Sequence, residues 1–218
     1  MFIKRSALHA LGHLFSNGYP ADIIEETPRD QSLIHISELT GCALKLWLNL
    51  KEQAPVSAYT SMPMAIGRTL HELTQSILKA IDPEIGVEVP VSYLPAYPVI
   101  GKADLVDSQY VIDLKFLSDW GFKSYFDSPY KHLTYKIQVL AYAKALNKPL
   151  AAVFIINRGN LGFKAQVYPV KQNEEELVYY LNRAKDIYES KTGPPKSHLT
   201  SNNFECHYCP YKERCWSE

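Results

Sequence analysis

Four cysteines place the strongest constraint on this chain. Cys42 stands alone, while Cys206, Cys209 and Cys215 crowd together in the spacing C-x2-C-x5-C. Three thiols so close in sequence can converge on one small object, and joining them to Cys42 would close most of the 218 residues into a loop. The fold therefore has to return its last segment to the region around residue 42. Disulfides are disfavoured in the cytosol, so a metal centre is the better account of the spacing. Zinc typically uses two paired knuckles, whereas here the first ligand is single and Pro210 follows the third cysteine. That pattern favours an iron–sulfur cluster, with zinc or no metal as the alternatives.

The rest of the composition is that of an ordinary soluble globular protein. Lys plus Arg (23) balances Asp plus Glu (23) and 46% of residues are apolar, which excludes a disordered chain, a coiled coil and a collagen-like fibre. The length suits one domain or a compact pair. The longest apolar runs, such as Leu150 to Ile156, are too short to span a bilayer. Lys4 and Arg5 open the chain, but His9 and His13 interrupt the apolar stretch and no small-residue cleavage site follows. The expectation is a cytoplasmic protein without membrane attachment. Overall neutrality hides a split: residues 1–109 hold 8 basic and 12 acidic side chains, and residues 110–218 hold 15 and 11. Within 111–165 there are 8 basic against 3 acidic residues, which suits either a phosphate-binding face or a solvated lysine-rich surface.

The patterning predicts a mixed α/β fold without internal repeats. Helices are expected over Ser37 to Gln53, Ala65 to Ile81, Thr134 to Leu146 and Gln172 to Ser190, with a loop over Pro55 to Pro63. Period-two alternation predicts strands over Gly86 to Tyr93, Val99 to Val106, Gln109 to Phe116, Ala151 to Asn157 and Gly162 to Val170. Asp107-Ser108 marks a tight hairpin connection, and Arg158-Gly159-Asn160 a second turn.

The candidate chemistry lies in the first hairpin. Asp113 and Lys115 are two apart on one strand, so they share a face, and Asp104 is within reach on the antiparallel partner. Two carboxylates on one sheet face suit a hard divalent cation, and a neighbouring lysine can orient water or neutralise charge on a phosphoryl oxygen. An isolated D-x-K is also what a surface hairpin with a cross-strand ion pair presents. His71, on the preceding helix, offers a nitrogen ligand to the same ion; Gln138 and Tyr142, four apart, share a face of the following helix. Trp120, Tyr125, Phe126 and Tyr130, interleaved with Lys123 and Lys131, offer either a base-stacking surface or plain core packing.

In order along the chain these features read S-x-L-x-x-C-x-x-K (Ser37, Leu39, Cys42, Lys45), G-R-x-x-H, G-x-x-D, D-x-K, Q-x-x-x-Y and C-x2-C-x5-C. That order resembles the RecB-type nucleases of the PD-(D/E)xK superfamily. Among them the chain looks most like the CRISPR-associated Cas-four nucleases, over about residues 37 to 216. The resemblance implies a restriction-endonuclease-like fold: a mixed central sheet flanked by helices, with a cluster-bound C-terminal tail packed on an N-terminal helix. It divides the chain into an extension (1–36), a nuclease core (37–200) and a cysteine segment (201–218).

The resemblance further implies that His71, Asp104, Asp113 and the backbone carbonyl of Leu114 hold Mg²⁺ or Mn²⁺. Lys115 would position the attacking water, and Gln138 and Tyr142 would help hold the substrate and Lys115. Cys42, Cys206, Cys209 and Cys215 would ligate a [4Fe–4S] cluster. The implied activity is a metal-dependent single-stranded DNA exonuclease, 5′ to 3′, acting in CRISPR spacer acquisition beside spacer-integration proteins. A viral or recombination-associated relative, or a DNA-end-binding module with weak cleavage, is the alternative. Residues 1–36 match none of these motifs.

Overall fold

The computed structural model of the chain describes residues 19–20, 30–52, 59–60, 62–125, 127, 129–197, 204–207 and 209–216. In chain order the elements are β1 (Tyr19–Pro20), β2 (Ile34–His35), α1 (Ala43–Glu52), β3 (Tyr59–Thr60), α2 (Met62–Ile81), β4 (Gly86–Ser92), β5 (Val99–Val106) and β6 (Tyr110–Leu117). They continue with α3 (Asp119–Lys123), α4 (Pro129–Ala145), β7 (Leu150–Asn157), β8 (Phe163–Pro169), α5 (Glu174–Glu189), α6 (Phe204–His207) and α7 (Lys212–Trp216). β1 and β3 pair apart from the main sheet. None of the described helices is long and apolar enough to cross a membrane.

The main sheet is mixed. β4–β5, β5–β6 and β7–β8 are antiparallel, while β6–β7 and β2–β5 are parallel. β4 follows β5 from Ile100 to Val106 along one edge. The other edge of β5 is shared: β2 pairs at its start (Ile34↔Val99, His35↔Ile100) and β6 only at its end (Leu105↔Ile112, Val106↔Val111). Between those contacts the strands fork, and Asp104 sits at the mouth of the fork. The hairpin that creates it is fixed by Asp107, whose Oδ1 accepts from the Gln109 and Tyr110 amides at 2.7 and 2.6 Å, an Asx-turn in place of a glycine turn.

α4 is the central helix. Ile137, Val139, Leu140, Ala141 and Ala143 are all buried, because the helix has β6 and β7 on one side and α5 with the Ile36–Glu38 turn on the other. Val111, Val153 and Ile155 of the sheet and Leu177, Leu181 and Ala184 of α5 complete the core.

Most expected elements are present with shifted ends. α2 starts at Met62, so Pro63 falls in its first turn, where a missing N–H costs nothing; residues 53–58 and 61 of the expected loop lie outside the described set. α4 starts five residues earlier than expected, at Pro129. The helix expected from Ser37 begins only at Ala43. Ile36–Glu38 is a 3-10 turn closed by the Gly41 amide on the Glu38 carbonyl at 2.8 Å, and Cys42 therefore precedes the helix.

Candidate active site and cysteine cavity

Where the β5–β6 ladder stops, the Asp104 side chain replaces it: its Oδ2 accepts from the Leu114 amide at 2.7 Å. The same oxygen lies 3.6 Å from Nδ1 of His71, delivered by α2. His71, Asp104 and the Leu114 main chain thus meet at one point. Burial, and after it the charge of Lys115, holds the His71 imidazole below its ordinary range.

Asp113 is completely buried. Its carboxylate faces the Lys115 ammonium, with Nζ 2.9 Å from Oδ1 and 2.8 Å from Oδ2. Burial pushes the carboxyls of Asp104 and Asp113 up, each to about 6, against the opposing pull of Lys115. Burial works against the Lys115 ammonium too, but Asp113 and Asp104 outweigh it and the net shift is upward, which keeps the lysine charged. Two carboxylates held at such cost around one cation form an electrostatically loaded site, the arrangement expected where chemistry is done.

Gln138 and Tyr142 are brought together, with Gln138 Nε2 donating to the Tyr142 hydroxyl at 3.3 Å. The Tyr142 ring packs on Gly101, where an added Cβ would stand 2.8 Å from its Cε1. The pair therefore braces the strand that carries Asp104. The ring under Lys115 belongs to Tyr135, whose centroid is 5.1 Å from Nζ, and Tyr135 in turn stacks on Tyr125 at 5.8 Å.

Sequence reasoning passed over Tyr135 and Glu88. Glu88 lies on β4 beside Asp104, between the pairs Val87↔Leu105 and Val89↔Ala103. Its φ of 50° is left-handed, its carboxylate accepts from Gln75 at 2.8 Å, and its charge is felt by both His71 and Asp104. A positive φ at a glutamate has no signature in the sequence.

The donor set fits a hard divalent cation. It offers two carboxylates, one imidazole and one carbonyl, and Oδ2 of Asp113 is buried with the Lys115 ammonium 2.8 Å away. Among the described residues no three His, Cys, Asp or Glu side chains are already gathered as tightly as a bound ion holds them. The Lys115 ammonium is the positive charge these carboxylates now face.

The four cysteines also come together. All are free thiols, and all line one cavity, alongside Lys45, Lys196 and Trp216. Arg183 of α5 positions the Cys42 loop, donating to the Leu39 and Gly41 carbonyls at 2.7 and 2.6 Å. The Ala43 amide donates to Ser197 at 3.1 Å, and Arg214 of α7 pairs with Glu52 of α1, so the tail returns to α1. Burial pushes the Cys215 thiol up, and the neighbouring charges of Cys209, Cys42 and Cys206 add to it. Among the described residues no three of these thiols are gathered closely enough to hold a metal ion as they stand.

Of the expected stacking residues, Tyr125 is fully buried and belongs to the core, whereas Trp120 is 73% exposed. Phe126 and the Tyr130 side chain lie outside the described residues.

The family model of the PD-(D/E)XK nuclease superfamily matches residues 6–216. No curated protein matches the chain significantly. Among solved structures, SSO0001 is similar at 18% identity and a TM-score of 0.60, over 89% of this chain and 90% of that one. The alkaline exonuclease LHK-Exo from Laribacter hongkongensis is similar at 9% identity and a TM-score of 0.50, over 73% and 91%. The same enzyme in complex with dAMP gives 10% and 0.51 over the same shares. At these identities the likeness is one of fold.

Proposed function

Since the chain belongs to the PD-(D/E)XK nuclease superfamily, we propose that it is a divalent-metal-dependent deoxyribonuclease that trims single-stranded DNA ends, 5′ to 3′, in the cytoplasm. The observation that carries this reading is the buried Asp113–Lys115 pair, set beside Asp104 and His71 at the fork of the sheet. The exonuclease reading and its direction rest on the motif resemblance, and an alkaline exonuclease shares the fold.

His71, Asp104, Asp113 and the Leu114 carbonyl would hold Mg²⁺ or Mn²⁺. When bound, the ion supplies a Lewis acid and a water of lowered pKa. Lys115 orients the attacking water and offsets negative charge growing on the phosphoryl oxygens. Water oxygen bonds to phosphorus, the bond from phosphorus to the 3′ oxygen breaks, and that oxygen takes up a proton. The products are a 3′ hydroxyl and a 5′-phosphate. Tyr135 holds the Lys115 ammonium over its ring, and the Gln138–Tyr142 pair holds the Asp104 strand.

The cysteine cavity is the second half of the reading: Cys42, Cys206, Cys209 and Cys215 ligate a [4Fe–4S] cluster with a structural role. No cysteine lies on the hairpin that carries Asp104, Asp113 and Lys115, so hydrolysis requires no electron transfer. The reading extends to CRISPR spacer acquisition, with spacer-integration proteins as partners; the motif order supports it. End-labelled single-stranded DNA incubated with Mn²⁺, against an EDTA control, tests the activity. Stepwise shortening from the 5′ end is expected; DNA retained but uncut would favour an end-binding module.

A further inference from the structure

We propose that the exposed indole of Trp120 is a stacking platform for one unpaired base of the strand being cut, a short distance from the scissile phosphate. This rests on the nuclease reading above and assigns the residue that makes the site prefer an unpaired strand.

Trp120 stands just beyond the strand that carries the chemistry. β6 holds Asp113 and Lys115 and ends at Leu117. Trp120 follows Lys115 by five residues, a separation of at most about 18 Å along an extended chain. An indole with 73% of its surface in water is unusual for so large an aromatic. Looseness does not explain it, because α3 is fastened around it. Ser118 caps the helix, accepting from the Gly121 amide at 3.2 Å. Asn157 of β7 donates to Asp119 at 3.0 Å, and Lys164 of β8 lies 5.0 Å from the Phe122 ring centroid. The platform is pre-organised.

Its surroundings carry the charge that a nucleic acid strand requires. The Lys131 ammonium lies 4.9 Å from the Trp120 ring centroid, over one face of the indole. A cation there fixes the ring and meets a phosphate, while a base takes the opposite face. Lys123, three residues along the same short helix, is largely exposed and pairs with Asp119 at 2.7 Å. Tyr125, a second aromatic at this end, is sealed in the core. Stacking accepts any base but requires it to be unpaired, so Trp120 recognises strandedness and leaves sequence unread.

The test uses full-length protein with Asp113→Asn, which binds DNA without consuming it, and oligothymidylates carrying a single 2-aminopurine at successive positions. Quenching is expected at one position a few nucleotides from the bound end. Trp120→Leu should abolish it and weaken affinity about tenfold or more, the effect of losing one base stack. Trp120→Phe should restore part of both, and a blunt duplex of equal length should bind with less than a twofold change. Equal quenching and affinity in Trp120→Leu would overturn the platform, as would a parallel loss for the duplex. If the parent protein never cuts DNA yet quenching depends on Trp120, the nuclease reading fails and the platform stands.

Discussion

The Lys115 ammonium lies 5.1 Å from the centroid of the Tyr135 ring while gripping both oxygens of Asp113 at 2.8 and 2.9 Å. One side chain is therefore held by both a buried carboxylate and an aromatic face. The lysine of the D-x-K motif is positioned by a tyrosine three residues before Gln138, on the preceding turn of the same helix.

Removing that face should slow the chemistry without unfolding the protein. Tyr135→Leu is expected to lower kcat about fivefold to tenfold with little change in KM, since a partly desolvated cation–π contact is worth about 1–2 kcal/mol. Tyr135→Phe keeps the ring and should stay within about twofold of the parent. Equal losses in both variants would mean that the hydroxyl, and not the ring, matters.

The metal should stabilise the protein, and more so at higher pH. Burial raises Asp104 and Asp113 to about 6 in the folded state, above the usual value of about 3.9. Their contribution to metal-free stability is thus fully present below about pH 4 and is lost as pH rises through about 6. A divalent cation competes with protons for these oxygens and compensates the charge. The Mn²⁺-induced rise in Tm is expected to be larger at pH 7.5 than at pH 5; a rise independent of pH would place the ion elsewhere.

Gly101 is expected to tolerate no side chain. A methyl there would stand 2.8 Å from Tyr142 and 3.2 Å from Ile36, so Gly101→Ala should destabilise by about 1–3 kcal/mol through overpacking. Because Asp104 lies three residues along the same strand, Mn²⁺ affinity should fall as well. Chemical denaturation and metal titration of the same sample measure the two effects.

The cysteine cavity predicts a brown protein when purified without oxygen. Cys206→Ala should bleach the visible absorbance. A cluster joining Cys42 to the tail closes a loop that chain-entropy reasoning values at about 4–5 kcal/mol, so Tm should drop by about 10 °C or more. Stoichiometric zinc without iron in the anaerobic protein would contradict the cluster, and an unchanged Tm would contradict its structural role.

The hairpin, the D-x-K strand and the α/β alternation were legible because each is local: period-two burial in β5 and β6 and turn chemistry at Asp107 are written in adjacent residues. The fork was not. It depends on β2, a two-residue parallel pairing between residues 34–35 and 99–100, and so short a strand leaves no periodicity. α4 obscured its own start because its residues are half-buried over 131–136 and buried over 137–143, which leaves little of the amphipathic contrast that marks a helix. Cys42 was expected inside a helix because Leu39, Leu46 and Leu50 keep helical spacing; the Gly41 turn and the grip of Arg183 on the Leu39 and Gly41 carbonyls override that spacing. The roles of Tyr135 and Glu88 arise only from three-dimensional approach to Lys115 and Asp104.

The central claim is that Asp113 is the carboxylate on which phosphodiester hydrolysis depends. The direct measurement is the rate of Mn²⁺-dependent cleavage of end-labelled single-stranded DNA by Asp113→Asn and by the parent protein, each shown to be folded by its melting curve. Cleavage should fall by more than about a hundredfold, since even outer partners of metal ligands act on the scale of tenfold to a hundredfold, while EDTA silences the parent. A folded Asp113→Asn protein that cuts at the parental rate would contradict the assignment of the site.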